Sequence, residues 1–536
     1  MNVVAPASPP LLTSSALVGI SCGFVAFALY LITLAPGVCW QDSGVHQFRI
    51  VNGMLENPYG LALSHPLHYW LGRGVLSLPP GGVDPAWKLN LLSAVSGALG
   101  VGVIAALVAA ITRRGTAAVL AAAALAIAHT YWAHSVVTES YALAAALMSV
   151  EWLLLWRYSR RGEPGALLAV FMLNGLHVSN HLLGLLPLAS YGVLGLERVA
   201  RRRLHAGWLG VFALGWVVTA SPYLSLIVRQ GMQSHDWGRT LHSALFGVGL
   251  GGGGYANDVL NTSISWGLAK NAVLVLGYNF PSLVIPLGLA GMGRPARQRG
   301  VLFRNVMLGQ TLLIAVFVLR YSIRDQYTFF VPLCAVLALW FGIGVDGLLR
   351  YFEQAGARPR DPSGLVRVQS GSAGPVILVV LTLATIAPLG VYAIFPSMAA
   401  QRGWLRSQMR DLPFRDEYRH FLQPWRIGDD SPRQYARAVL AECPPRGLLM
   451  TDLTAGYAIA YVQRVENFAP DVEVYVVDRN LTRANMPLMT ADALRRAAQR
   501  GAAIRATPSP VIEEWWGSDF DMRGEGLVRD LLLRTR

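Results

Sequence analysis

The sequence predicts an all-α polytopic membrane protein with a small α/β domain outside the membrane at its C-terminal end. Three observations predict it. Hydrophobic residues make up 53% of the 536, charged residues 14%, and the mean hydropathy is +0.41. A soluble domain carries about 25% charge, so most of this chain is dissolved in lipid. The apolar residues fall into long runs separated by short arginine-rich loops. After Ser397 the runs stop, and a polar stretch of mixed charge follows to the end. The boundaries read as a multi-span part over 1–399 and a C-terminal part over 400–536.

The first apolar run, about Leu11–Ala35, is too long for a signal-peptide core and reads as a retained helix. Further runs lie near Leu89–Ile111, Ala117–Ala133, Tyr141–Trp156, Ala166–Val178, His181–Leu196 and Trp208–Val228. The series continues at Ala269–Met292, Val306–Arg320, Tyr327–Leu349 and Pro375–Pro396. Together they predict about eleven spans, although Ala166–Val178 is shorter than the roughly 17–25 residues a span needs.

Arginine placement predicts the orientation. Clusters at Arg113–Arg114, Arg157/Arg160/Arg161, Arg198–Arg203, Arg294–Arg304 and Arg350–Arg360 fall in alternate loops, the cytoplasmic set under the positive-inside rule. The N-terminus is then cytoplasmic, and the first loop, 36–88, faces outward with the C-terminal part. A bacterial inner membrane is the expected location. The net charge of +14 does not point to nucleic acid, because it sits in these loops. The four cysteines show no metal-ligand spacing, and a bridge between Cys39 and Cys443 is not expected.

Polar chemistry is crowded into the first loop. Pro36–Arg73 holds Asp42, His46, Glu56, His65 and His68, with Trp40, Tyr59, Tyr69 and Trp70 among them. A second set, His129, His134, Glu139, Asn180 and His181, lies at the predicted outer ends of spans. Two readings stand side by side. In one, Asp42 caps a short interfacial helix and the rest is an ordinary interface belt. In the other, Asp42 is a general base for an acceptor hydroxyl, Glu139 is a second catalytic carboxylate, and histidines and arginines handle a phosphate. Asn174 and His177 are read as helix–helix hydrogen-bond partners or as part of the site.

Elsewhere, GVGLGGGGYAN (247–257) lacks the Gly-Lys-Ser/Thr ending of a phosphate loop and reads as a mobile loop. The stretch 447–482 reads as strand, helix, strand.

Motif order carries a resemblance. DSG (42–44), HP (65–66), PPGG (79–82), LNLLSA (89–94), WAHSVVTESYAL (132–143), NGLHVSNHLLGLLPL (174–188), SPYLSLIVR (221–229) and WGRT (237–240) occur in sequence. TDLTAGYAIAYVQRVENFAPDVEV (451–474) follows in the tail. This order resembles the GT-C-type membrane glycosyltransferases related to the eukaryotic transmembrane protein O-mannosyltransferase that acts on receptor ectodomains.

The resemblance implies a GT-C-like fold. It also implies a transferase moving a sugar from a polyprenyl-phosphate donor to a hydroxyl of a protein or glycan acceptor, with inversion. Asp42 matches the position of the proposed catalytic carboxylate. The substrate-binding set is then His46, His65, His68, His134, Asn180 and His181, with Arg239, Arg320 and Arg324 near the phosphate. Val45 stands where the family has Glu, and HPLHYWL (65–71) replaces HPPGYPL. No metal site and no cofactor is therefore expected. The alternative function is a polytopic transporter or flippase, which predicts inverted repeats and polar groups at mid-span.

Overall fold

The computed structural model describes residues 11–57, 59–247, 254–295, 300–323, 325–356, 373–406, 409–477 and 491–534. Its helices, in chain order, begin with α1 (Leu11–Ile32), α2 (Gln41–Val51), α3 (Pro66–Leu76), α4 (Pro85–Thr112), α5 (Gly115–Ala126) and α6 (His129–Ser135). They continue with α7 (Ser140–Arg161), α8 (Pro164–Asn180), α9 (Leu185–Ala200), α10 (Gly207–Ser234), α11 (Trp237–Phe246) and α12 (Ala256–Val259). Next come α13 (Trp266–Asn279), α14 (Val284–Gly293), α15 (Val301–Arg320), α16 (Val331–Gly356) and α17 (Ala373–Gln401). Beyond them lie α18 (Glu417–Leu422), α19 (Ser431–Glu442), α20 (Leu453–Val465), α21 (Ala491–Gln499) and α22 (Pro510–Trp516).

Every apolar run named above forms a helix or a bent helix pair. About eleven spans is nevertheless more than length and apolarity support. Among the described residues seven helices are long and apolar enough, and nine if α5–α6, bent by 70°, and α13–α14, bent by 101°, each count as one. The difference lies in α7, which carries Glu151 and ends in charged turns, and in α8, which has 17 residues. Both pack inside the bundle, so neither needs a full lipid-facing length.

The core sits around α16, buried over 94% of its apolar window, and α4, buried over 67%. A helix apolar on all sides belongs in the interior of a bundle. Asp84 caps α4, accepting from the Ala86 N–H at 2.9 Å, and Pro85 occupies the first helical position. α1 lies against α4 where Gly19 meets Gly102. A Cβ on Gly19 would stand 2.7 Å from the Gly102 carbonyl oxygen, so only glycine admits this approach.

The C-terminal part contains a five-stranded sheet of β1 (Leu448–Asp452), β2 (Glu473–Val477), β3 (Ile504–Ala506), β4 (Phe520–Arg523) and β5 (Arg529–Leu533). The strand order is β2-β1-β3-β5-β4, with β1 parallel to β2 and β3, and β5 antiparallel to β3 and β4. The sequence LLMTD of β1 is buried throughout, as a central parallel strand requires. The helix α20 joins β1 to β2 and packs on α2 of the first loop. Val38, Trp40 and Phe48 share one apolar cluster with Tyr435, Leu449, Ile459 and Tyr461. Burying a side chain such as Phe48 is worth roughly 1.5–3 kcal/mol, so the sheet part and the first loop stabilise one another. The four cysteines are free. Most of the glycine run at 247–257 lies outside the described residues.

Candidate active site

The site begins at α2. Spacings of four and three residues put Asp42, His46 and Arg49 on one helix face. The N-cap position is Trp40, with no side-chain cap, so Asp42 is not the capping residue of the structural reading. It lies in the first turn, where a negative charge meets the positive end of the helix dipole. Asp42 is exposed, while every residue from Ser43 to Ile50 is buried. Gln41, immediately before it, adopts φ 54°. That left-handed conformation costs a non-glycine residue about 1–2 kcal/mol. Strain of this kind collects beside functional groups.

The glycine of the DSG motif has a packing reason. A Cβ on Gly44 would stand 2.5 Å from the Cys39 carbonyl oxygen. The turn leading into α2 therefore closes only with glycine there.

Glu139, directly before α7, comes to the same place. Ser43 Oγ donates to Glu139 Oε1 at 2.8 Å, and His46 Nε2 stands 3.8 Å from Glu139 Oε2. Burial first, and the charge of Asp42 second, raise the Glu139 carboxyl well above the usual carboxylate range. The Glu139 backbone N–H donates to Ser93 Oγ at 3.1 Å, which ties the LNLLSA block to the site. In the same block Asn90 donates to the Ala35 and Gly37 carbonyls at 3.0 and 2.9 Å, fixing where the loop leaves α1.

α3 supplies the next layer. His65 precedes Pro66, which starts the helix. The His65 ring stacks on His181 at 5.1 Å between centroids and lies 5.2 Å from His46. His65 Nδ1 donates to the Asn180 carbonyl at 2.7 Å. His68 is wholly buried 5.8 Å from His46, and among the described residues neither of its ring nitrogens has a hydrogen-bond partner. Tyr69 OH bridges His46 Nδ1 at 2.9 Å and Arg49 Nη1 at 2.6 Å. Burial lowers His65 to about 4 and His68 to about 3, and His46 falls well below its ordinary value. These rings are neutral at neutral pH. The fixed cation of the cluster is Arg49.

The sequence-predicted residues separate as follows. Asp42, His46, His65, His68, Glu139, Asn180 and His181 are brought together. His134 sits at the edge, 5.3 Å from the Tyr141 ring, which in turn lies 4.8 Å from His181. Arg239 is exposed in the first turn of α11, where its backbone N–H is capped by Asp236 at 2.9 Å. Among the described residues nothing joins its side chain to the cluster. Arg320 donates to the Asn261 carbonyl at 2.8 Å instead, and Arg324 lies outside the described residues.

The sequence reading named Tyr69 only among the loop aromatics and assigned no role to Ser43, Arg49 or Tyr141, although the i, i+4, i+7 spacing from Asp42 marks Arg49. Glu151 was missed too. It is fully buried in α7, takes His177 Nδ1 at 3.0 Å and Asn174 Nδ2 at 3.3 Å on Oε1, and takes Tyr191 OH at 2.9 Å on Oε2. Asn174 and His177 are therefore partners within the bundle. Among the described residues no three His, Cys, Asp or Glu side chains are placed to hold a metal ion.

The tail motif buttresses the loop. Trp40 Nε1 donates to Ser431 Oγ at 3.0 Å. Tyr461 OH donates to Asp84 Oδ1 at 2.9 Å, and Arg433 pairs with Asp84 Oδ2. Asp452 caps α20 and accepts from Ser509 Oγ at 2.6 Å.

The fold is GT-C-like. Crystal structures of ArnT from Cupriavidus metallidurans share it. The one bound to undecaprenyl phosphate superposes with a TM-score of 0.56 at 14% identity, over 97% of this chain and 98% of that one. The apo form gives 0.52 at 15% identity, over 97% of each chain. Residues 62–203 match the family described as protein O-mannosyl-transferase TMEM260 N-terminal domain. Among curated proteins no sequence matches.

Proposed function

We propose that this chain is an integral-membrane glycosyltransferase moving a sugar from a polyprenyl-phosphate donor to a hydroxyl acceptor, with Asp42 as general base. The observation that carries this reading is the convergence of Asp42, His65, Glu139 and His181, from four separate segments, on one place beside the ends of the spans. A catalytic pocket needs such a gathering of distant ionisable groups. The match of residues 62–203 and the shared fold support it, and the ArnT structure carries undecaprenyl phosphate.

In the reaction, the acceptor oxygen attacks the anomeric carbon on the face opposite the phosphate and the sugar–phosphate bond breaks. Its electron pair leaves on the polyprenyl phosphate, and Asp42 takes the hydroxyl proton. One displacement inverts the anomeric centre. A phosphate leaving group needs positive charge more than a proton. Arg49 supplies that charge, and the neutral histidines hold the geometry and donate hydrogen bonds. Glu139 stands behind Asp42 and keeps Ser43 and His46 in place.

Two further parts belong to the proposal. The first loop and residues 400–536, taken as a C-terminal domain, lie outside a bacterial inner membrane, with the N-terminus in the cytoplasm. Reporter fusions after Gly162 and after Arg419 should then report opposite sides. The acceptor is a protein or a glycan. Purified protein incubated with synthetic polyprenyl-phosphate sugars should consume donor, and no turnover across a panel of sugars would overturn the reading.

A further inference from the structure

Deeper in the bundle than the histidine cluster, α7, α8 and α9 close around a polar group that the reaction above does not use. Glu151, Asn174, His177 and Tyr191 are wholly buried there. Glu151 lies about three turns into α7 from Glu139, roughly 18 Å at 1.5 Å per residue, so it does not reach the reacting atoms. Its partners come from the two other helices. Oε1 accepts from His177 Nδ1 at 3.0 Å and Asn174 Nδ2 at 3.3 Å, and Oε2 accepts from Tyr191 OH at 2.9 Å. Donors on both oxygens suit an ionised carboxylate, which only accepts. Burying a charge among spans is costly, and a neutral amide would serve as ordinary helix glue. An acid kept in such a place is a functional candidate.

What the carboxylate holds is the connection between α8 and α9. Asn174 Nδ2 also donates to the Gly184 carbonyl at 2.9 Å, and Asn174 Oδ1 accepts from Trp216 Nε1 at 3.0 Å. The His177 carbonyl accepts the His181 backbone N–H at 2.7 Å. A Cβ on Gly184 would stand 3.1 Å from His177 Cγ, so the turn lies directly against that imidazole. The two residues bonded to Glu151 Oε1 are thus tied to opposite ends of the segment 181–184. That segment begins at the active site. The Asn180 carbonyl takes His65 Nδ1 at 2.7 Å, and the His181 ring lies 5.1 Å from His65 and 4.8 Å from Tyr141.

We infer that Glu151 is a positioning residue: through Asn174 and His177 it sets the turn that presents Asn180 and His181 to the active site. The inference rests on the transferase reading for its effect on catalysis, and one arm of its test needs no turnover. Glu151→Gln keeps the shape but loses the charge and turns an N–H₂ group toward donors. Misplacement transmitted from a distance costs up to about a hundredfold, so in the full-length protein kcat should fall about ten- to a hundredfold with KM within about threefold. Tyr191→Phe removes one donor and should lower kcat about two- to tenfold. Against a His181→Ala background Glu151→Gln should cost less than about threefold more, because its route is already cut.

The arm free of turnover is labelling by diethylpyrocarbonate, read by mass spectrometry at each histidine. A loosened turn opens more often, so His181 should react about threefold faster or more in Glu151→Gln, with exposed His235 unchanged. A melting curve checks that each variant is folded, and if Glu151→Gln is not, Tyr191→Phe takes its place. The inference falls if the folded variant leaves kcat or His181 labelling unchanged, even where its melting temperature drops. It falls as well if the loss multiplies in full with that of His181→Ala, which would make the two independent. Faster His181 labelling in a protein that never turns over donor would leave the positioning role standing and remove the transferase reading instead.

Discussion

Ser43 and Glu139, 96 positions apart, are joined by a 2.8 Å hydrogen bond that fastens the first-loop helix to the start of α7. Asp42, the residue before Ser43, is exposed, and its charge helps to raise the buried Glu139 carboxyl. The two acids differ in environment, and so in what each can do.

Asp42→Asn keeps size and hydrogen bonding but removes the proton acceptor. Turnover should fall by about 10²–10⁴, with melting temperature and donor binding nearly unchanged. Undiminished turnover in this variant would remove Asp42 from the chemistry.

Glu139 behaves differently because burial favours its neutral form. Glu139→Gln stays neutral and still accepts from Ser43, so a kinetic assay should show no more than about a tenfold loss. Glu139→Ala strands the Ser43 hydroxyl and should cost roughly 1–3 kcal/mol of stability. A loss with Gln as large as that of Asp42→Asn would mean that Glu139 itself moves a proton.

Acid should loosen the site. His65 and His68 titrate at about 4 and about 3 in the folded protein, against an ordinary 6.5. Between those values the unfolded chain binds more protons, so stability rises with pH there. The contribution is complete above about 6.5 and is lost as pH falls toward 4. Melting temperature recorded from pH 7.5 to 4.5 should drop across that window. A flat profile would show that the histidines are already solvated or charged.

Gly44→Ala drives a methyl into the Cys39 carbonyl. Relieving the clash shifts backbone at the root of the first loop. Overpacking of this kind costs roughly 1–3 kcal/mol, and turnover should fall with it. Equal melting temperatures for the variant and the parent would show that the turn gives way freely.

Much of this was legible in the sequence, because lipid enforces a simple code. A run such as Ala117–Ala133 must be helical whatever surrounds it. The break at Ile127–Ala128 that splits it into α5 and α6 left no such mark. Asp42, Glu139 and His181 were visible because ionisable groups near the ends of spans are rare. Tyr69 was visible only as one aromatic among several, and Arg49 was hidden as an ordinary loop residue until α2 and α3 packed together. Arg239 shows the opposite error, a basic residue in a suggestive motif that folds onto the surface. The strand–helix–strand pattern at 448–477 was readable from local periodicity, whereas the seat of α20 on α2 depends on residues about 400 positions apart and has no local signature.

That seat has a consequence in time. Asp42 leaves the ribosome well before Tyr461, which latches onto the cap of α4. Until the tail arrives, Trp40 and Phe48 have nothing to cover them, and α2 lacks one of its two walls. A chain that stops before α19 therefore carries Asp42, His46 and Glu139 without the apolar wall that α19 and α20 lay against the first loop. The helices α19 and α20 are in this sense a completion signal written into the fold, since their arrival closes the wall of the first loop.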